Sequence, residues 1–249
     1  MPPVTKPDLW LPYRKARPSA RVRLFCFPFA GGGASAYRTW QDNLPASIEV
    51  CAVQLPAREN RLGDAPVGDI ARLVSMIADG LYAHLAQPFA FFGHSMGALI
   101  SFELARELRR RGGLRPVHLF ASACPAPHIP DTDATHDLPE AELIEYMRKL
   151  GGMSEEVLQH RELMEMILPV FRADTSITET YQYATEPPLE VPFTTFGGLE
   201  DEKAKRDDLD AWRQHTCGAF SLRMVPGGHF YIQQEARLQV LAVVGKVIG

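Results

Sequence analysis

The segment FAFFGHSMGALI (89–100) restricts the fold more than any other stretch of this chain, because a short apolar run enters Gly93-His94-Ser95-Met96-Gly97 and a helix-forming run leaves it. A serine flanked by glycines between a strand and a helix sits on a sharp turn, strained in its backbone, with its hydroxyl clear of the sheet. Such a turn needs a strand end on one side and a helix N-terminus on the other. The rest of the chain is therefore read as the scaffold for that turn.

Apolar runs at RVRLFCF (21–27), IEVCAV (48–53), FAFFG (89–93), VHLFASA (117–123), VPFTTFGG (191–198) and FSLRMV (220–225) predict strands. Helical patterns run from Ala34 to Trp40, Asp69 to Leu85, Met96 to Arg111, through a set from Pro139 to Tyr183, then from Leu209 to His215 and Tyr231 to Val247. Strand and helix alternate with Gly or Pro at the junctions, which predicts a mainly parallel central sheet flanked by helices on both faces. The rhythm breaks from Ala126 to Pro188, where only helical patterns occur. Leu163, Met166, Ile167, Val170 and Phe171 form a stripe there at helical spacing. A helical lid inserted over about 126–188 is expected, within a single domain spanning 1–249. The proline-rich residues 1–20 read as a surface leader.

A neutral serine is a poor nucleophile and needs a base in hydrogen-bond reach, and on a sheet of this kind the chain order is serine, acid, histidine. His229 lies in VPGGHFYI (225–232), a glycine-rich loop just past the last predicted strand, and is the expected base. The acid that orients its imidazole is expected after the preceding strand, where TTFGGLEDEKA (194–204) offers Glu200, Asp201 and Glu202. Asp201 is preferred, with Glu200 the alternative. An oxyanion needs two preorganised N–H donors, one from the residue after the nucleophile, Met96, and one from an early loop. FPFAGGGAS (27–35) supplies that loop and Ala30 is the expected second donor; a phosphate-binding reading of its glycines finds neither G-K-[ST] nor GxGxxG.

The net charge of −4 gives no basic field to concentrate nucleic acid or an anionic membrane, so neither is an expected partner. The leader has no apolar core like a secretory signal, and no segment approaches the ~20 apolar residues of a membrane span, which predicts a cytoplasmic protein. Cys26, Cys51, Cys124 and Cys217 are scattered without metal spacing and are expected to be buried thiols. No metal or cofactor is expected.

Taken together, FCFPFAGGGAS (25–35), LPARENRL (55–62), FFGHSMGALISFELAREL (91–108), FRAD (171–174), the FGGLED turn with Trp212 after it, and VPGGHFYI resemble the type II thioesterases that accompany polyketide and nonribosomal peptide synthases. The resemblance covers nearly the whole chain. Phe29 stands where that family often has His or Tyr, and Glu202 where it often has Pro. It implies an α/β-hydrolase fold with the lid forming an acyl chamber, and hydrolysis of acyl groups from the phosphopantetheine arm of an acyl or peptidyl carrier protein, clearing aberrant or stalled chains. It matches Ser95, Asp201 and His229 to the triad, and Ala30 and Met96 to the oxyanion donors. Read as free-standing, the chain is expected to act as a monomer that edits rather than releases finished product. Met147, Met153, Met164 and Met166 are expected in the chamber, as pliable thioethers tolerant of varied acyl groups. Arg110 would lie about 22 Å along the helix from Ser95, so carrier docking is expected near the lid and the Arg58 and Arg61 loop rather than at Arg106 to Arg115. A general carboxylesterase or lipase, and a non-catalytic carrier-binding adaptor, are the competing readings.

Overall fold

The structure is a computed structural model that describes residues 8–249; the first seven residues of the leader lie outside the described residues. Six strands form one sheet: β1 (Val22–Phe27), β2 (Ile48–Ala52), β3 (Phe89–His94), β4 (Leu119–Ser122), β5 (Phe193–Gly198) and β6 (Phe220–Val225). All neighbours pair in parallel, in the order β2-β1-β3-β4-β5-β6. Each of the six apolar runs is a strand.

The runs are apolar throughout because both sheet faces are covered, and their period of two divides the side chains between two cores. Phe25, Phe27, Phe89 and Phe91 pack on one face with helices α1 (Ile70–Leu81) and α2 (Met96–Gly112) and with Trp212. Leu24, Cys26, Ala90 and Phe92 pack on the other with Tyr37, Trp40 and helix α7 (Arg237–Ile248). Asp69 caps α1 by accepting from the Arg72 N–H, and Gly113, left-handed at φ 85°, ends α2.

Between β4 and β5 come three helices, α3 (Glu140–Leu150), α4 (Glu155–Gln159) and α5 (Arg161–Glu179), followed after β5 by the short α6 (Arg206–Asp210). The three enclose a third cluster of Leu143, Met147, Leu158, Met164, Leu168 and Phe171. The buried face of α5 therefore differs from the expected stripe: Met164, Leu168 and Phe171 point into that cluster, whereas Met166 is 49% exposed. The expected helix at Ala34 to Trp40 is instead two 3-10 turns, Ala34–Tyr37 and Trp40–Asn43. Three cysteines are buried as expected, but Cys217 is exposed. The described part of the leader is tied down by Leu11, which is buried, and by the Arg14 guanidinium on Glu49.

Candidate active site

Every residue singled out for chemistry lies just beyond the carboxyl end of a strand, where open parallel sheets place their sites. Ser95 joins β3 to α2 with φ 54° and ψ −125°, a conformation rare for a residue with a side chain. The turn is this tight only because of its glycines. A Cβ on Gly93 would stand 2.0 Å from the Gly97 carbonyl oxygen, and one on Gly97 would stand 2.2 Å from that of Phe27. Gly97→Ala is accordingly expected to destabilise the fold by about 3 kcal/mol or more, seen as a lowered urea midpoint; an unchanged midpoint would mean that α2 shifts freely.

The His229 ring bridges the serine and the acid. Its Nε2 lies 3.0 Å from Ser95 Oγ and its Nδ1 lies 2.9 Å from Asp201 Oδ2. Asp201 Oδ1 accepts from the N–H groups of Lys203 at 2.9 Å and Ala204 at 3.3 Å, so the carboxylate is held from both sides. A carboxylate only accepts, which places the ring proton on Nδ1 and leaves Nε2 to accept from the serine hydroxyl. Glu200 and Glu202, the other acids of this turn, are exposed.

In the early loop most N–H groups already have acceptors within the protein. The N–H groups of Gly31, Gly32, Ala34 and Ser35 donate to Asp174 Oδ2, the Phe29 carbonyl, Gln54 Oε1 and Glu59 Oε1. Those of Ala30 and Met96 meet no acceptor among the described residues. Both residues line one cavity of about 690 Å³ together with Ser95 and His229. The positive end of α2 points to the same place, which favours a developing negative charge there.

Residues 22–247 match the thioesterase domain family model. The chain is a member of the thioesterase family. This thioesterase is 45% identical to linear gramicidin dehydrogenase LgrE of Brevibacillus parabrevis, over 96% of this chain and 92% of that one. It is 40% identical to RedJ, a thioesterase from the prodiginine biosynthetic pathway in Streptomyces coelicolor, with TM-score 0.87 over 93% of this chain and 87% of that one. It is 38% identical to BorB, a type II thioesterase from the borrelidin biosynthetic cluster, with TM-score 0.89 over 98% of this chain and all (100%) of that one. These neighbours share the helix-flanked parallel sheet, the α/β-hydrolase arrangement that the resemblance implies. In the glycine loop of this chain the N–H groups of Gly31, Ala34 and Ser35 are taken by the protein's own acceptors.

Behind the bridging imidazole lies a network that the sequence reading missed. His94 Nε2 donates to the His229 carbonyl at 2.9 Å, its Nδ1 accepts from the Ser122 hydroxyl at 2.8 Å, and Ser122 Oγ accepts from the Tyr231 hydroxyl at 2.5 Å. Each polar atom in this series has its partner, which anchors the His229 loop to β3 and β4. His94 stands inside the serine pentapeptide and Tyr231 beside His229, so both sit in motifs already quoted; their mutual contact had no sequence signal. Burial pushes His94 well below its ordinary value, and nearby His229 adds to the effect. Burial also takes His118 and His215 down to about 4.

An imidazole depressed in the folded chain gains protons on unfolding, so stability present in full above the unfolded value near 6.5 is lost as pH falls toward about 4. The urea midpoint of the thioesterase is therefore expected to drop between pH 7 and pH 5. A midpoint flat across that interval would contradict the buried neutral assignments.

The cavity wall carries Leu99, Ile129, Tyr146, Leu150, Phe171 and Tyr181. The methionines expected there sit elsewhere: Met147 and Met164 are buried in the helices' own cluster and Met153 packs on it. Cys124 does line the cavity, but burial pushes its thiol up to about 12, so it stays protonated and offers no rival nucleophile. Arg58 and Arg61, in the loop expected near carrier docking, are both buried: Arg58 on Asp174, Arg61 on Asp64 and against the Trp10 ring. Arg106, Arg109, Arg110 and Arg111 are engaged by Glu103, Glu186, Glu107 and Asp79 at the far end of α2.

Proposed function

We propose that this thioesterase hydrolyses acyl groups from the phosphopantetheine arm of acyl or peptidyl carrier proteins, as a type II editing enzyme of polyketide or nonribosomal peptide synthesis. The observation that carries the reading is the single hydrogen-bonded series from Ser95 through His229 to Asp201 at the floor of an acyl-sized cavity. The relatives named for prodiginine and borrelidin biosynthesis support the setting. On this reading the thioesterase is a cytoplasmic monomer, one domain, with the helices of 126–188 as its lid.

The chemistry follows from the donors and acceptors. Ser95 Oγ attacks the thioester carbonyl carbon while His229 Nε2 takes the hydroxyl proton, and the imidazolium is stabilised by Asp201. The Ala30 and Met96 N–H groups receive the oxyanion. Collapse breaks the C–S bond, and the departing thiolate takes the proton from Nε2. Water, deprotonated by the same nitrogen, then attacks the acyl-serine ester; the acid leaves and Ser95 regains its proton.

Mass analysis of a panel of acyl-loaded carrier proteins, run against aryl esters of the same acids, tests the proposal. Free acid is expected from the carriers with kcat/KM on the order of 10²-fold above the aryl esters, about 2.8 kcal/mol of carrier recognition. Equal or faster aryl-ester cleavage would indicate a general esterase. Carrier binding without acid release would indicate an adaptor.

A further inference from the structure

Two of the quoted segments, LPARENRL and FRAD, had no assigned task, and the structure brings them together against the oxyanion loop. Asp174 of α5, only 1% exposed, receives three bonds: Oδ2 accepts from the Gly31 N–H at 2.7 Å and from Arg58 Nη1 at 2.6 Å, and Oδ1 accepts from Arg58 Nη2 at 2.9 Å. Arg58 Nη1 donates in addition to the Gly32 carbonyl at 3.0 Å, and Nε donates to the Pro56 carbonyl at 3.0 Å. The fork thus spans the loop and the helix at once.

The bonded peptide directly follows the one that carries the Ala30 N–H. Gly32 N–H donates to the Phe29 carbonyl at 2.9 Å, and Gly31 is left-handed at φ 74°. Residues 29–32 therefore follow the pattern of a type II turn, held from outside at the Gly31 N–H by Asp174 and at the Gly32 carbonyl by Arg58. The central peptide here is Ala30–Gly31. Its N–H is the one held by Asp174. The Phe29–Ala30 peptide on its near side carries the Ala30 N–H, which has no acceptor among the described residues, and Ala30 lines the cavity. On either side of Arg58, Ala57 and Glu59 have positive φ values of 67° and 49°, so the backbone is strained where it turns the guanidinium inward.

We propose that the Arg58–Asp174 pair is a positioning device for the oxyanion donor: it locks the turn that aims the Ala30 N–H, and it makes that aim depend on the seating of α5. The inference rests on the oxyanion role given to Ala30 in the proposed function. Neither side chain touches the reacting atoms.

The test uses Asp174→Asn, which keeps shape but not charge, and Arg58→Lys, which keeps charge but loses the planar fork. Three quantities are read per active site titrated with a fluorophosphonate: kcat and KM on an acyl-carrier thioester, affinity for an alkyl boronic acid that mimics the tetrahedral anion, and affinity for a non-hydrolysable acyl thioether. Asp174→Asn is expected to lower kcat and boronate affinity together by on the order of 10²-fold, with KM and thioether affinity within about twofold, as loss of one aligned donor predicts. Arg58→Lys is expected to fall between Asp174→Asn and the unaltered protein. A kcat per titrated site that stays unchanged in the folded variants would overturn the proposal, as would equal losses of boronate and thioether binding, the mark of a merely structural role. Failure of the functional reading would show separately, as absent carrier-thioester turnover in the unaltered protein.

Discussion

Replacing Ser95 by alanine is expected to lower kcat on an acyl-carrier thioester by roughly 10⁵-fold while leaving the carrier bound. The size follows from what is lost. Without Oγ there is no acyl-enzyme route, and the remaining help is the pair of N–H donors and the orientation of the bound thioester. The fold should tolerate the change, because alanine keeps the Cβ that already occupies the strained turn at φ 54°. Single-turnover hydrolysis of a radiolabelled acyl-carrier measures it. A variant retaining more than about a tenth of the activity would mean that water is activated without Ser95, which would remove the basis of the mechanism.

The second large effect concerns the acid, and it depends on which oxygen faces which partner. Asp201 Oδ1 is pinned by the Lys203 and Ala204 N–H groups, whereas Oδ2 faces His229 Nδ1. In Asp201→Asn the single amide oxygen must take the place of Oδ1, since an amide nitrogen cannot accept those two N–H bonds. The NH2 then points at Nδ1 and donates to it, which drives the ring proton to Nε2. A protonated Nε2 cannot accept from Ser95 at neutral pH. A loss of about 10³- to 10⁴-fold in kcat is expected, with KM little changed. Glu200→Gln, at an exposed neighbour, should stay within about twofold. Reversal of that order would reassign the acid to Glu200.

The legible part of the molecule was local. Six apolar runs, each bounded by Gly or Pro, became six parallel strands, and the pentapeptide became the strained turn. The roles proposed for His229 and Asp201 rested on their positions past the last two strands, and the folded chain brings the His229 ring to Ser95 and the Asp201 carboxylate to that ring. What stayed hidden was the choice of partner. The apolar spacing of α5 marked an amphipathic helix, but Met164 and Leu168 face α3 and α4 while Ile177 joins the core around α1 and α2, so one helix serves two clusters and no single stripe describes it. The burial of Arg58 and Arg61 had no local signal, since Arg58 is held by Asp174 and Arg61 by the Gln54 carbonyl and the Trp10 ring. GGGASAY was too short and too glycine-rich to sustain an α-helix, and helical periodicity alone does not separate it from 3-10 turns.

The links made by His94 tie the loop bearing residue 229 to the same strands that carry the serine, so the hydroxyl and the imidazole ride on one stiff block. The opposite wall joins that block at α5, where Asp174 accepts from Arg58 and the Gly31 N–H and Ser176 Oγ donates to the Gly68 carbonyl. A bulky or branched cargo that displaced α5 would leave the reach between Ser95 and His229 unaltered but would pull on the loop that bears Ala30. The bulk of the cargo and the hold on its tetrahedral anion are in this way coupled through one helix.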